Sequence, residues 1–280
     1  MKRVGVVLAA AVFCLSTALW AQDSSTTTTD NSNAASQAQS DQHKDAAQRD
    51  ANMADQEKAD AKNESTKSGA ERDKVLARLD DSSKILNELL AAPDKGIPQD
   101  VYKSAKCVAV IPSMAKGGFV FGAEHGRGVA TCRTQNGTWS APAMFVMTGG
   151  SWGAQIGGQA VDLVMLVMNE QGVTDLLSSK FKLGANGSVA AGPVGRDASA
   201  NTDWKMKAEV LTYSRTRGLF AGLTLDGAVI KQDDDSTRAL YDRMVGFRPT
   251  LTGQVQTPAV AEHFLATVRH GKAESDAAAH

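Results

Sequence analysis

The sequence predicts an α+β fold: a glycine-rich, mainly antiparallel, curved sheet with an N-terminal amphipathic helix and C-terminal helices. Three observations carry this. Apolar residues fall at helical spacing from Val75 to Leu90, short apolar runs bounded by turn residues fill 107–231, and helical patterns return after Asp235. Nineteen of the 25 glycines lie between Gly117 and Gly227, a density that suits bulges and close backbone approaches better than flat strands.

The chain opens on MKRVGVVLAAAVFCLSTALWA, in which Lys2 and Arg3 precede an apolar run from Val4 to Leu15 and Ala21 precedes polar Gln22. This is the pattern of a secretory signal peptide over 1–21, since the run is shorter than the about 20 apolar residues of a membrane span. The expectation is a protein exported by that signal, periplasmic or extracellular, and peripheral to a membrane. Residues 22–70 hold one large apolar side chain, Met53, with nine acidic against five basic residues. They cannot bury enough surface to offset their ordering entropy and read as a disordered polar tether. The folded domain is expected over 71–270, with a disordered tail at 271–280.

Within the domain, Val75, Leu76, Leu79, Leu86, Leu89 and Leu90 share one helix face, broken only by Ser83, and the helix stops before Pro93. Pro98 opens a short helix. CVAVI (107–111) is a buried strand. Runs 119–123 and 129–133 read as a hairpin around His125-Gly126-Arg127-Gly128, and Asn136-Gly137 is a second turn. Residues 160–168 are apolar on both faces except for Asp162, hence a central strand. A short helix over 173–179, paired strands over 209–215 and 218–225, an Asp226-Gly227 turn into 228–231, a helix over 235–245 and a last helix after Thr257-Pro258 complete the order.

Thirty Lys and Arg against 31 Asp and Glu give no broad basic field, which argues against nucleic acid as a partner. Five His and three Cys leave little for a metal site, and His263 and His270, seven apart on a helix, are too distant to share an ion. Gly149-Gly150-Ser151-Trp152-Gly153 satisfies the G-x-S-x-G string, yet the glycines that follow oppose the helix that a nucleophile elbow needs. No phosphate loop occurs. The expectation is therefore no catalysis, no cofactor and no metal.

The strings CVAVIP (107–112), KGGF (116–119), GRGV (126–129), WSAP (139–142), GSWGAQIGGQ (150–159), DLV (162–164), AAGPVG (190–195), YSR (213–215) and GLFAG (218–222) stand in this order. Together they resemble the lipid-binding SYLF domain family, also described as the yeast actin-binding domain family, over about 78–241. The resemblance implies a single α+β domain without known catalysis. In eukaryotic relatives it binds phosphoinositide membranes and in some actin filaments, whereas exported bacterial relatives look like lipid-binding envelope proteins.

A phospholipid head group needs cations beside apolar surface. The candidates are Lys116, Arg127, Arg196, Arg215 and Arg217, of which Arg215 and Arg217 share a strand face by period two. Asp162 needs a partner if buried, either Arg215 or Arg133, and pairing would make Arg215 structural. Cys107 and Cys132 either form a disulfide or remain buried thiols on neighbouring strands. Two readings stand: an anionic-phospholipid-binding module of the cell envelope, with a membrane surface and another envelope protein as partners, or a structural or protein-interaction module.

Overall fold

The computed structural model describes residues 31–92, 96–118, 121–152, 157–178, 180–183, 189–194, 208–216, 219–221, 225 and 227–277. The expected signal segment at 1–21 lies outside them. The chain divides into two units, Met1–Ala61 and Lys62–His280. Helix α1, Asn31–Ala91, begins far earlier than its apolar stripe. Stretch 31–68 contains neither Pro nor Gly and holds nine Ala, five Gln and four Lys, whose intrinsic helix preference needs no buried face. The expected tether is helical over 31–70, and every side chain from 51 to 70 is exposed.

In the second unit, the later turns of α1 bury Val75, Leu79, Ile85, Leu86 and Leu89. Ser83, the break in the apolar stripe, is also buried, because its hydroxyl donates to Leu79 O at 2.9 Å and leaves no unpaired donor. Then follow α2 (Gln99–Ser104), β1 (Cys107–Gly118), β2 (Phe121–Cys132), β3 (Ala143–Trp152), β4 (Gly157–Val167), α3 (Glu170–Leu176), β5 (Lys180–Lys182) and β6 (Val189–Ala191). The chain continues through β7 (Val210–Thr216), β8 (Leu219–Ala221), β9 (Val229–Gln232), α4 (Asp234–Tyr241), α5 (Phe247–Leu251), a 3₁₀ turn (Ala259–Ala261) and α6 (Glu262–Ala277).

The described strands form one sheet in the order β5-β9-β3-β2-β1-β4-β7-β6, with β8 beside β6 on the same edge of β7. Only the β6–β7 pair is parallel. Val108, Val110, Val129, Val164 and Leu211 pack with Leu86, Val101, Phe264 and Leu265 of the helices on one face. Ile111, Phe145, Met147, Leu163 and Met165 pack with Ile230, Phe247 and Leu251 on the other. Burial on both faces is why the β4 sequence is apolar without alternation.

Strand β2 runs unbroken through His125–Gly128, so the hairpin expected there does not exist. Its glycines serve packing: a Cβ on Gly126 would lie 2.5 Å from Ile111 Cγ2, and one on Gly128 2.5 Å from Phe145 Cζ. The turn at Asn136-Gly137 does form, with Gly137 at φ +76. The helix expected to reach 245 ends at Tyr241, where Asp242 turns left-handed. Helix α5 has no counterpart in the sequence reading; Pro249 fits its first turn, where an N–H has no helical acceptor.

Candidate functional site

The described candidate cations, Lys116 on β1, Arg127 on β2 and Arg215 on β7, sit on the sheet, whose backbone is deformed within β1. Between Val110 and Ala115 the β1–β2 register shifts, and Ser113 within this bulge takes φ +48. Asp162 on β4 holds the bulge, accepting the Ser113 N–H on Oδ1 at 2.9 Å. Its Oδ2 receives Arg215 Nη2 at 2.7 Å and Nε at 3.2 Å, across a directly paired β4–β7 register. Glu88 of α1 contacts the same guanidinium. Arg215 therefore joins sheet to helix and spends its charge inside the chain. Arg133, the other partner the sequence offered Asp162, instead donates to Ala105 O at 3.0 Å and lies 4.4 Å over the Trp139 ring.

Arg127 is not at a turn tip but in mid-strand, where Nη1 meets Glu71 Oε1 at 2.7 Å and Asp233 Oδ2 at 3.5 Å. Arg78 adds a bond to Ser236 Oγ at 3.0 Å and approaches Asp233 at 3.9 Å. Ser236 in turn donates to Asp233 Oδ2 at 2.8 Å, and its N–H caps α4 on Asp233 Oδ1 at 3.2 Å. Two carboxylates and two guanidinium groups thus balance where α1, β2 and α4 meet. Burial pushes the Arg78 guanidinium below its ordinary value, while Asp233 opposes the shift. The capping sequence Asp233-x-x-Ser236 was a readable signal for half of this cluster; its link to Glu71 and Arg78 was not.

Lys116 stands opposite Glu124 in the β1–β2 ladder, Nζ to Oε1 2.8 Å, with the side chains only 7% and 3% exposed. Gly149 of β3 is the register partner of Glu124, and a Cβ there would come 3.6 Å from Glu124 Oε2. The pair offers no free ammonium to an external phosphate. Arg196 and Arg217 lie outside the described residues. Cys107 and Cys132, paired in register at the end of the same ladder, are joined as a buried disulfide.

Cations without an intramolecular partner occur elsewhere. Arg243 and Arg248 are exposed and make no side-chain bond among the described residues. Arg243 lines a groove of about 440 Å³ with Arg72, Tyr241, Pro258 and Val260. Its neighbour Met244 is 45% exposed and Val260 43%, large apolar side chains left open beside positive charge. Arg72 anchors the floor by donating to Ala239 O at 3.0 Å and Asp242 Oδ1 at 2.8 Å. Tyr241 donates its hydroxyl to Pro142 O at 2.7 Å, and burial pushes that hydroxyl above its ordinary value.

Residues 148–270 match the Ysc84 family, described as Las17-binding protein actin regulator. An SH3 domain-containing protein of Schizosaccharomyces pombe is 41% identical over 170 residues, covering 59% of this chain and 39% of its own length. LAS seventeen-binding protein 3 of Saccharomyces cerevisiae is 35% identical over 175 residues, 61% of this chain and 38% of that protein. The human SH3 domain-containing YSC84-like protein 1 is 34% identical over 187 residues, 65% of this chain and 54% of that protein. The chain thus spans between about two fifths and just over half of the length of these relatives. They correct the expected periplasmic or extracellular site: the matches are yeast and mammalian proteins named for SH3 domains and LAS seventeen binding, and the family is described as an actin regulator. Motif order, the mixed sheet with its flanking helices and these matches agree, and it is the stretch 148–270 that matches the Ysc84 (SYLF) family.

Proposed function

We propose that the chain is a non-catalytic protein-interaction module of the actin-regulating kind, engaging an acidic protein surface through the Arg243 groove. The single observation that carries this over head-group binding is where the charges go. Lys116, Arg127 and Arg215, the described cations the sequence nominated for lipid, each face a carboxylate of the same chain at 2.8 Å or less. Arg243 and Arg248 face none among the described residues, and Arg243 precedes exposed Met244 in the chain and lines the groove with exposed Val260, all within the stretch matching the actin-regulator family. Exposed arginine beside an apolar side chain is the composition of an interface that desolvates on contact, with charge setting partner and rate.

Co-sedimentation of the full chain with actin filaments, run beside flotation with anionic phospholipid vesicles, tests the reading. Filament binding is expected, weakened about tenfold by Arg243→Glu at unchanged Tm, and reduced by salt. Binding to vesicles with none to filaments would overturn it in favour of the lipid module. Filament binding insensitive to Arg243→Glu would remove the groove as the site.

A further inference from the structure

The turn between β2 and β3 meets the segment that follows α5. Gly253 sits at φ +80, and a Cβ there would stand 2.6 Å from Thr134 Cγ2, so the contact requires glycine. Between the two segments lies a cavity of about 220 Å³ whose lining contains no Asp, Glu, Lys, Arg or His. Hydroxyl and amide side chains surround a single indole, that of Trp139.

The scaffold of this cavity is internally satisfied. Thr134 N–H donates to Thr138 O at 2.8 Å, Gly137 N–H to Thr134 O at 2.9 Å, and the two threonine hydroxyls lie 2.9 Å apart. Arg133 covers one side of the indole at 4.4 Å, fixing the ring. By contrast, the side chains of Gln135, Asn136 and Thr257 line the cavity and make no hydrogen bond among the described residues. A rigid aromatic wall therefore stands beside uncommitted donors and acceptors.

We infer that this cavity binds a small, neutral, polyhydroxylated ring, with a monosaccharide as the type. A phosphate or carboxylate would lose its hydration against a lining with no cation to replace it. A purely apolar ligand would strip water from Gln135 and Asn136 and return no hydrogen bond. A sugar ring supplies both needs, hydroxyls for the amides and a C–H face for the indole. The volume admits one ring and not an oligomer, and so small a ligand in an open site binds in the millimolar range.

This site does not depend on the Arg243 groove, with which it shares only Thr257. The test is an amide chemical-shift titration of the full chain with glucose, galactose and mannose, and with glucose 6-phosphate and glucuronate as charged counterparts. At least one neutral sugar is expected to shift the Gly137 and Gly253 amides and the Trp139 indole N–H, with the charged sugars several-fold weaker. The Gln135→Ala/Asn136→Ala double variant, changed only at exposed side chains, should keep its Tm and bind about tenfold more weakly. No shift with any neutral sugar, equal binding of the charged sugars, or full affinity in a folded double variant would each overturn the inference. The selectivity between neutral and charged sugars is read on the unaltered chain, so the test stands even if the double variant unfolds.

Discussion

Glu124→Ala removes one half of the pair that Lys116 and Glu124 make at 2.8 Å, with both side chains more than nine-tenths buried. The ammonium left behind belongs to a side chain only 7% exposed whose carboxylate partner is gone. Breaking such a pair on one side costs about 3–5 kcal/mol, because the remaining charge is uncompensated. For a unit the size of Lys62–His280 each kcal/mol is worth about 2–4 °C, so Tm should fall by roughly 6–20 °C. Lys116→Met leaves Glu124 buried alone and should cost about as much. The Lys116→Met/Glu124→Leu double variant removes both charges and fills similar volume, so most of the loss should return. Urea unfolding of wild type, Glu124→Leu, Lys116→Met and the double variant closes the cycle, and the coupling should exceed about 2 kcal/mol. Single variants each costing under about 1 kcal/mol would mean that the pair is solvated, and Lys116 would again be available to an anionic partner. A large loss in the singles that persists in the double variant would refute the charge argument by another route, by showing that shape matters there more than pairing.

Three further outcomes follow from the packing. All three tyrosines, Tyr102, Tyr213 and Tyr241, are pushed above their ordinary values by burial. Folding holds them neutral to higher pH than in the unfolded chain, so their contribution is complete below about pH 10 and is lost above it, by about 1.4 kcal/mol per pH unit for each ring. Phenolate absorbance at 295 nm should thus appear only together with loss of near-UV circular dichroism; smooth titration near pH 10 in the folded protein would contradict it. Reducing the Cys107–Cys132 bond, which closes a loop of 25 residues, should cost roughly 3.5 kcal/mol by chain entropy, read as a lower urea midpoint after reduction and alkylation. Gly128→Ala drives a Cβ to 2.5 Å from Phe145 Cζ and 2.6 Å from Val110 O and should destabilise by about 1–3 kcal/mol, whereas Gly69→Ala, with open space around it in an exposed helix, should stabilise by about 0.5–1 kcal/mol; equal effects at the two sites would show that contact plays no part.

The sequence by itself determined whatever a short window of side chains decides. The period of Val75, Leu79, Leu86 and Leu89 is enough to orient a helix, the unbroken apolar run ahead of Val167 is enough to place β4 inside a sheet, and Asn136-Gly137 is enough for a turn. The family was legible in the same way, since motif order is a property of the chain and not of its fold. Helix start was less so: 31–70 has no apolar period, and a polar helix and a polar coil share one composition. Gly126 and Gly128 misled for a related reason. Glycine permits a turn and it permits close packing, and only the positions of Ile111 and Phe145 show that packing is the use made of it.

Tertiary structure alone decided which charges are free. Lys116 and Arg215 read as surface cations because no acidic residue lies within a few positions, and Glu124, three residues before Arg127, pairs with Lys116 instead. Their partners come from other elements: Glu124 from the paired strand, Glu71 from α1, Asp233 from the cap of α4, Asp162 from β4 and Glu88 from α1. Sequence spacing fixes a face on one helix or strand, but an ion pair depends on which faces meet, and that is set by sheet order, the β1 bulge and the path of α1 across the sheet. For the same reason the exposed Arg243 and Met244 could not be singled out from their neighbours in the chain: their availability reflects that no described element packs over them, which no local pattern encodes.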